Sequence, residues 1–400
     1  MMHTLLVQGA VDTELDRIQA GLPAGREAEH NGCWFYETTC GPLRVMLSRT
    51  GVGTLNAVLA TCAGLSAYRP DAVLNQGSAG GHTRDMAVGD LVLGQSAIPI
   101  NELTMPIRAA GQGSDALTWQ PGPRAVPLKG DAQLLALVRS VPYAGGRVHV
   151  GRLGTGDLFS RESDRIDWLH KTFGNLCEDM ESAAVYKACH AAGVPVLGVR
   201  VIANNELTGM HDAPDCGFFE RAKDMLQDHM LNVIRALAQT APQPQFLPLT
   251  DETCPDAARY IQDRWGGVDM VICGKMVNVS AGEGMLVYLG GALCAVCCYA
   301  VDGDLAQITL LDSSVENRGI GSALIERVRA ITAARGCRAL RLITTNDNLR
   351  VIGFYQKRGF VLTRVNVDAL EQSRKLKPGI PLVGEHGIPL LHEIEFSMAL

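Results

Sequence analysis

Four side chains able to do chemistry stand where regular elements begin or end. Asp179 and Glu181 open Asp179-Met-Glu-Ser-Ala-Ala184, a small-residue run that reads as a helix stopped by Gly193, and Asn204 follows the β-branched strand run 194–202. Glu14 sits just past Thr4-Leu-Leu-Val-Gln-Gly-Ala10, at a strand-to-helix junction. Carboxylates at helix starts and an amide beyond the carboxyl end of a strand lie where open α/β sheets gather their ligands. Taken singly, the same residues also serve to complement a helix dipole or cap a loop. A different chemistry is written near the other end. Val315-Glu-Asn-Arg-Gly-Ile-Gly-Ser-Ala-Leu324 closes a strand and opens an amphipathic helix, so the backbone N–H groups from Arg318 to Ser322 can cradle a pyrophosphate.

The elements that must position these residues fall into two sets. Four hundred residues, 47% of them hydrophobic, predict two or three domains with sizeable cores. A net charge of -6 argues against a nucleic-acid partner. The start carries no basic leader, and the longest apolar run, 289–301, is too short to span a bilayer, so a cytoplasmic protein with no membrane partner is expected. Most of the twelve cysteines sit singly in apolar context, and Cys294-Ala-Val-Cys297-Cys298 lies inside a strand-like run with no second ligand pair, so no metal is expected. Thr240-Ala-Pro-Gln-Pro-Gln-Phe-Leu-Pro-Leu-Thr250 has no hydrophobic period and reads as a semi-rigid linker. Domains at 1–239 and 251–400 follow, joined by 240–250. In the second, the runs at 269–274, 284–289, 292–300 and 306–311 predict a mainly antiparallel meander.

Asp179-Met-Glu-Ser-Ala-Ala followed by Val199-Arg-Val-Ile-Ala-Asn204 resembles the signature of the purine nucleoside phosphorylase superfamily, most of all its methylthioadenosine/S-adenosylhomocysteine nucleosidases. Further motifs follow in family order: Gly9-Ala with Glu14, Asn75-Gln-Gly-Ser-Ala-Gly-Gly81, and Gly154-Thr-Gly-Asp-Leu-Phe-Ser160. The resemblance spans roughly residues 3 to 238 and implies an α/β/α sandwich with a mixed sheet. It gives Glu14 the attacking water and Ser78 a contact on the water or ribose side. Phe159 would stack on the purine, the backbone of Ser160 would meet the base edge, Glu181 would hold the ribose hydroxyls, and Met180 would pack under the sugar. Asp179 stands for a usual Glu, hinting at an altered sugar or base contact. Phe218 and Val52 would line the wall around the sugar tail. A homodimer through this domain is implied as well.

The later run resembles the GCN5-related N-acetyltransferases (GNAT), in Arg318-Gly-Ile-Gly321, in Asn348 before a helix and in the close Phe354-Tyr-Gln-Lys-Arg-Gly-Phe360. It implies an α/β domain using acetyl-CoA and an amine acceptor, with cofactor contacts from Leu310, Leu311, Arg318, Gly319, Ile320, Gly321, Ser322 and Asn348. Tyr355 falls on the acid that reprotonates the departing thiolate. Glu316 departs from the usual residue opening the loop, and no carboxylate in 307–311 takes the common general-base place.

The first domain departs from its family at Asn204, which stands where an Asp normally protonates the purine. An amide donates a hydrogen bond but delivers no proton, and general acid catalysis contributes about 10² to 10⁴ in rate. Three expectations compete: a 6-oxopurine held by the amide, a proton from a neighbour such as Asp212, or a domain that binds a nucleoside without efficient cleavage. Hydrolysis is preferred to phosphorolysis because Gly9-Ala-Val-Asp-Thr-Glu14 replaces the phosphorylases' phosphate loop, although Arg49 and Arg200 keep phosphate in play. The expected protein is a nucleosidase fused to an acetyltransferase, the alternatives being a nucleoside phosphorylase or a nucleoside sensor regulating acetyl transfer.

Overall fold

In the computed structural model the described residues are 2–210, 218–315 and 319–400, with 218 and 219 described by their backbone alone. The chain divides into two compact units, Met1–Pro242 and Gln243–Leu400.

The first unit is built on a ten-stranded mixed sheet. At its centre Thr4–Gly9, Ala72–Gly81 and Val196–Asn204 run parallel, and Leu91–Pro99 joins antiparallel to the last of these. Their first halves, residues 5–7, 72–74, 91–93 and 196–199, are apolar because both faces are covered. Leu197, Val199 and Val201 point into one core with Leu226, Met230, Val233 and Ile234 of the helix Phe218–Thr240. Val196 and Ile202 point the other way, into a core with Ala57, Ala60 and Ala63 of the helix Thr54–Tyr68 and Ala183, Val185 and Tyr186 of the helix Ser182–Ala192. By this alternation Arg200 shares the second face. The ladder slips at Ala203, so that Ile202 pairs with Ala79 while Asn204 pairs with Gly80. This extra residue turns Asn204 toward the end of the Ala72–Gly81 strand. Asn175–Asp179 returns beside that same end through Cys177↔Gly81 and Glu178↔Gly80, which brings the carboxylates to the amide.

The second unit carries a seven-stranded sheet. Leu305–Ser313 pairs with Ala292–Asp302 along its length but with Ala339–Thr345 only over Leu305–Ile308. Beyond Ile308 the two strands part, leaving Leu310 and Leu311 unpaired toward the gap. Two sequence readings are corrected here. The stretch 240–250, read as a semi-rigid linker, contains regular structure: Thr240 ends a helix and Pro244–Pro248 pairs antiparallel with Glu283–Leu289 as an edge strand, a place where proline costs no ladder bond. Asp269–Ile272 does not join the meander but forms a separate hairpin with Lys275–Asn278.

Candidate functional site

The end of the Ala72–Gly81 strand is the axis of the site in the first unit. Glu14 lies in a short 3-10 turn, Asp12–Glu14, and is 5% exposed. Its Oε2 accepts from Ala10 N at 2.8 Å, and its Oε1 from Ser78 N at 3.0 Å and Ser78 Oγ at 3.2 Å. A Cβ on Gly77 would stand 3.0 Å from Glu14 Oε1, closer than an ordinary contact, so glycine gives the carboxylate room beside the strand. Three residues on, Asn204 faces Gly80; its Nδ2 donates to Glu206 Oε1 at 3.3 Å.

Glu181 reaches the same region from the start of its helix, where Oε1 accepts from Gly53 N at 3.1 Å. Gly53 adopts φ 95, a positive φ that glycine takes readily and other residues rarely. Asp157 holds the turn by accepting from Thr54 N and Thr54 Oγ1. Burial pushes Glu181 up to about 7; Arg200 opposes the shift, and Asp179 and Glu14 add to it. Glu14 thus lies close enough to be felt electrostatically. Met180 beside Glu181 is half-buried, and Val52 at 48% and Phe159 at 56% are exposed. Phe159 is therefore no core residue; it lines a cleft with Gly80, Gly81, His82, Ser160, Glu178, Asn204 and Glu206.

Asp179 departs from the sequence reading. Its side chain is fully enclosed: Oδ1 accepts from Thr155 Oγ1, Glu181 N and Ser182 N, and Oδ2 from Arg200 Nε at 3.0 Å. With four donors it positions Glu181 and Arg200 and has no face toward a ligand. Arg200 likewise is no phosphate handle. It is 1% exposed and spends its guanidinium on Asp179, Asn75 O and Asn75 Oδ1. Arg49 pairs with Asp12 and lies over the Trp34 ring. Asp212 and the side chain of Phe218 lie outside the described residues.

In the second unit Gly319, at φ 71, caps the helix Ile320–Ala334. Arg318 and Glu316 lie outside the described residues. A Cβ on Gly321 would meet the Phe354 ring at 3.1 Å, and Ser322 Oγ accepts from Arg358 Nε at 2.8 Å. The N-terminus of this fifteen-residue helix, with the Arg358 guanidinium held against it by Ser322, is suited to an anion. Asn348 caps the helix Leu349–Gln356 through Val351 N. Tyr355 is 6% exposed among the rings of Phe354, Phe360 and Phe396, and burial pushes its phenol up.

Residues 4–239 match the family model described as the phosphorylase superfamily. The chain belongs to the phosphorylase superfamily. Residues 248–360 match the acetyltransferase (GNAT) family, which makes the second unit a GNAT domain fused to the phosphorylase-superfamily domain. The chain is 31% identical over 199 residues to a 5'-methylthioadenosine/S-adenosylhomocysteine nucleosidase of Aeromonas salmonicida, covering 49% of this chain and 84% of the relative. It is 39% identical over 137 residues to the uncharacterized protein YxbD of Bacillus subtilis, covering 34% of this chain and 86% of the relative. Among solved structures, the 5'-methylthioadenosine/S-adenosylhomocysteine nucleosidase of Neisseria meningitidis shares the fold, with TM-score 0.50 and 22% identity over 59% of this chain and 100% of that one.

Sequence reasoning missed Glu178, His82 and Glu206 in the phosphorylase-superfamily domain and Arg358 in the GNAT domain. Glu178 adjoins the motif that was read and pairs with Gly80, so its position was the available signal. His82 directly follows Gly81. Among the described residues no helix is long and apolar enough to cross a membrane.

Proposed function

We propose that the phosphorylase-superfamily domain hydrolyses the N-glycosidic bond of a purine nucleoside, and that the GNAT domain transfers an acetyl group from acetyl-CoA to an amine. The convergence of Glu14, Glu181 and Asn204 along one strand end carries the first half. Glu14, already accepting from Ser78, takes the proton of a water attacking the anomeric carbon. Glu181 holds the ribose hydroxyls over Met180, and Phe159 stacks on the base. As the C–N bond breaks, its electron pair passes to the purine, which Asn204 meets with a hydrogen bond while solvent supplies the proton. Water is favoured over phosphate because Arg200, the buried cation beside Glu181, is engaged by Asp179 and Asn75. Base release in phosphate-free buffer tests this; strict phosphate dependence would reject the hydrolase in favour of a phosphorylase.

In the GNAT domain acetyl-CoA would supply an acyl thioester. The first turn of Ile320–Ala334 would hold the pyrophosphate, with Gly319, Gly321 and Ser322 lining it, and the unpaired Leu310–Leu311 edge would take the amide-bearing arm. Tyr355 would return a proton to the leaving sulfur. A cytoplasmic homodimer through the first domain belongs to the same reading. Asn204 in place of an acid favours a second reading, a nucleoside-binding domain that regulates acetyl transfer. Saturable nucleoside binding with no base release, coupled to a change in acetyl transfer, would select it.

A further inference from the structure

Two buried carboxamides that the mechanism above does not use grip the chain on either side of Glu14. Gln76 is 1% exposed and, by the alternation of its strand, faces the same way as Leu74, toward the helix Phe218–Thr240. Its Nε2 donates to the backbone O of Glu14 at 2.6 Å. A carbonyl oxygen only accepts, so the nitrogen end of the amide is the one that faces it. Gln8 pairs with Asn75, which makes Gly9 the next position beside Gln76, and a Cβ there would stand 2.8 Å from Gln76 Nε2 and 3.2 Å from Glu14 Cβ. Gly9 thus leaves the space through which the amide reaches Glu14. Gln76 Oε1 is buried with no hydrogen-bond partner among the described residues. A buried unpaired oxygen costs stability, so packing does not account for an amide at this position. From the other side Gln227, also 1% exposed, donates from Nε2 to Thr13 O at 3.0 Å and accepts at Oε1 from Arg17 N at 2.9 Å. Lys223 Nζ, on the same helix, donates to Thr13 Oγ1 at 2.9 Å.

Resting on the reading of Glu14 as the residue that takes the proton of the attacking water, we propose that Gln76 and Gln227 are positioning residues that fix Glu14 through its backbone. The peptide unit before the Glu14 Cα carries the Thr13 carbonyl and the one after it carries the Glu14 carbonyl, and each carbonyl accepts from one of the two amides. With both planes pinned, the freedom that remains is in the Glu14 side chain, which Ala10 N, Ser78 N and Ser78 Oγ hold. A 3-10 turn of three residues has too few bonds of its own to do this. Gln227 uses both ends of its amide, a donor toward Thr13 and an acceptor toward Arg17, which neither a carboxylate nor an ammonium supplies. Neither glutamine is among the residues that line the cleft, so their loss shifts Glu14 and leaves the contacts to sugar and base in place. Misplacing a catalytic group by about 1 Å costs about 10²-fold in rate.

The test measures kcat and KM for base release from 5'-methylthioadenosine and from inosine in the full-length wild type, Gln76→Met and Gln227→Met. Methionine keeps the length of the side chain and removes the amide. In each variant kcat falls roughly 10- to 100-fold while KM stays within about 2-fold. Hydrogen exchange of the Ala10 and Ser78 amides, whose acceptor is the Glu14 carboxylate, reads its placement without any chemistry. It quickens roughly 10-fold in both variants, while amides of the helix Ser182–Ala192 keep their wild-type rates. A loss expressed in KM, an unchanged kcat, unchanged exchange at Ala10 and Ser78, or exchange quickened throughout the domain would overturn the assignment. If a variant does not fold by circular dichroism, the shorter amides Gln76→Asn and Gln227→Asn replace it, with the same expected split. Exchange quickened at Ala10 and Ser78 alone, with no base release from either nucleoside by the wild type, would reject the hydrolase and leave the positioning of Glu14 standing.

Discussion

Glu181 ties the chemistry of the site to its stability, and the connection can be measured. Its carboxyl is 8% exposed, and burial lifts it from 4.5 to about 7 despite Arg200 Nη2 at 3.8 Å, because that guanidinium is already committed to Asp179. A group whose folded value lies above its unfolded one stabilises the fold fully below the unfolded value. That contribution is lost as pH rises through the folded value. Between pH 4.5 and about 7 the folded protein therefore holds a proton that the unfolded chain has released. At 1.36 kcal/mol per unit this amounts to about 3 kcal/mol lost across the window, with no further loss above about pH 8. Glu181→Gln fixes the neutral form and removes that slope. The assay is urea unfolding from pH 4.5 to 8.5 in a Trp265→Phe background, so that the remaining tryptophans, all in the first unit, report its unfolding alone. Other titrating groups cancel in the difference between wild type and Glu181→Gln. The difference should change by about 3 kcal/mol over the window. A difference independent of pH would refute the reasoning, because it would mean that Glu181 titrates alike in both states.

Two further outcomes follow from the same geometry. Arg200→Met strands the buried carboxylate of Asp179 and should cost about 3–5 kcal/mol, read as a fall in the urea midpoint of the first unit at pH 7.5, with base release lost as Glu181 is freed. Tyr355→Phe keeps the ring packed against Phe354, Phe360 and Phe396, so stability should change by about 1 kcal/mol or less, while acetyl transfer should fall about 10² to 10⁴ if the phenol supplies the proton.

The sequence was most informative where chemistry coincides with a break in the chain. Glu14, Ser78, Glu181 and Asn204 each stand within a few residues of a strand end or a glycine turn, so their motifs could be read in order without coordinates. What stayed hidden depends on the direction of side chains inside continuous runs. Arg200 in Val199-Arg-Val-Ile looks like an anion handle until the strand's alternation sends it toward Asp179. Asp179 looked like a ligand contact because a helix start is normally open, yet Thr155 and Arg200 close over it here. Glu178, a charge one residue before the motif, has no periodicity of its own to mark it. Only its pairing with Gly80 sets it against the cleft. In the 240–250 stretch composition suggested a semi-rigid linker, whereas an edge strand tolerates proline on its open side.

Glu178 also bears on why an amide can stand at 204. A negative side chain beside the base repels the electrons that the base must carry away, and two unit charges about 4 Å apart at an effective dielectric near 20 repel by about 4 kcal/mol. A carboxylate there is therefore a poor choice for speeding departure. The same holds for Asn204, which gives up a proton donor but keeps a directed hydrogen bond. Both residues move the site in one direction, away from help for the leaving group. Neutralising Glu178 should therefore speed base release where it changes it at all, because its partners are His82 and Ser160 and it shares no hydrogen bond with Glu14 or Glu181, the residues proposed to act on the water and the sugar.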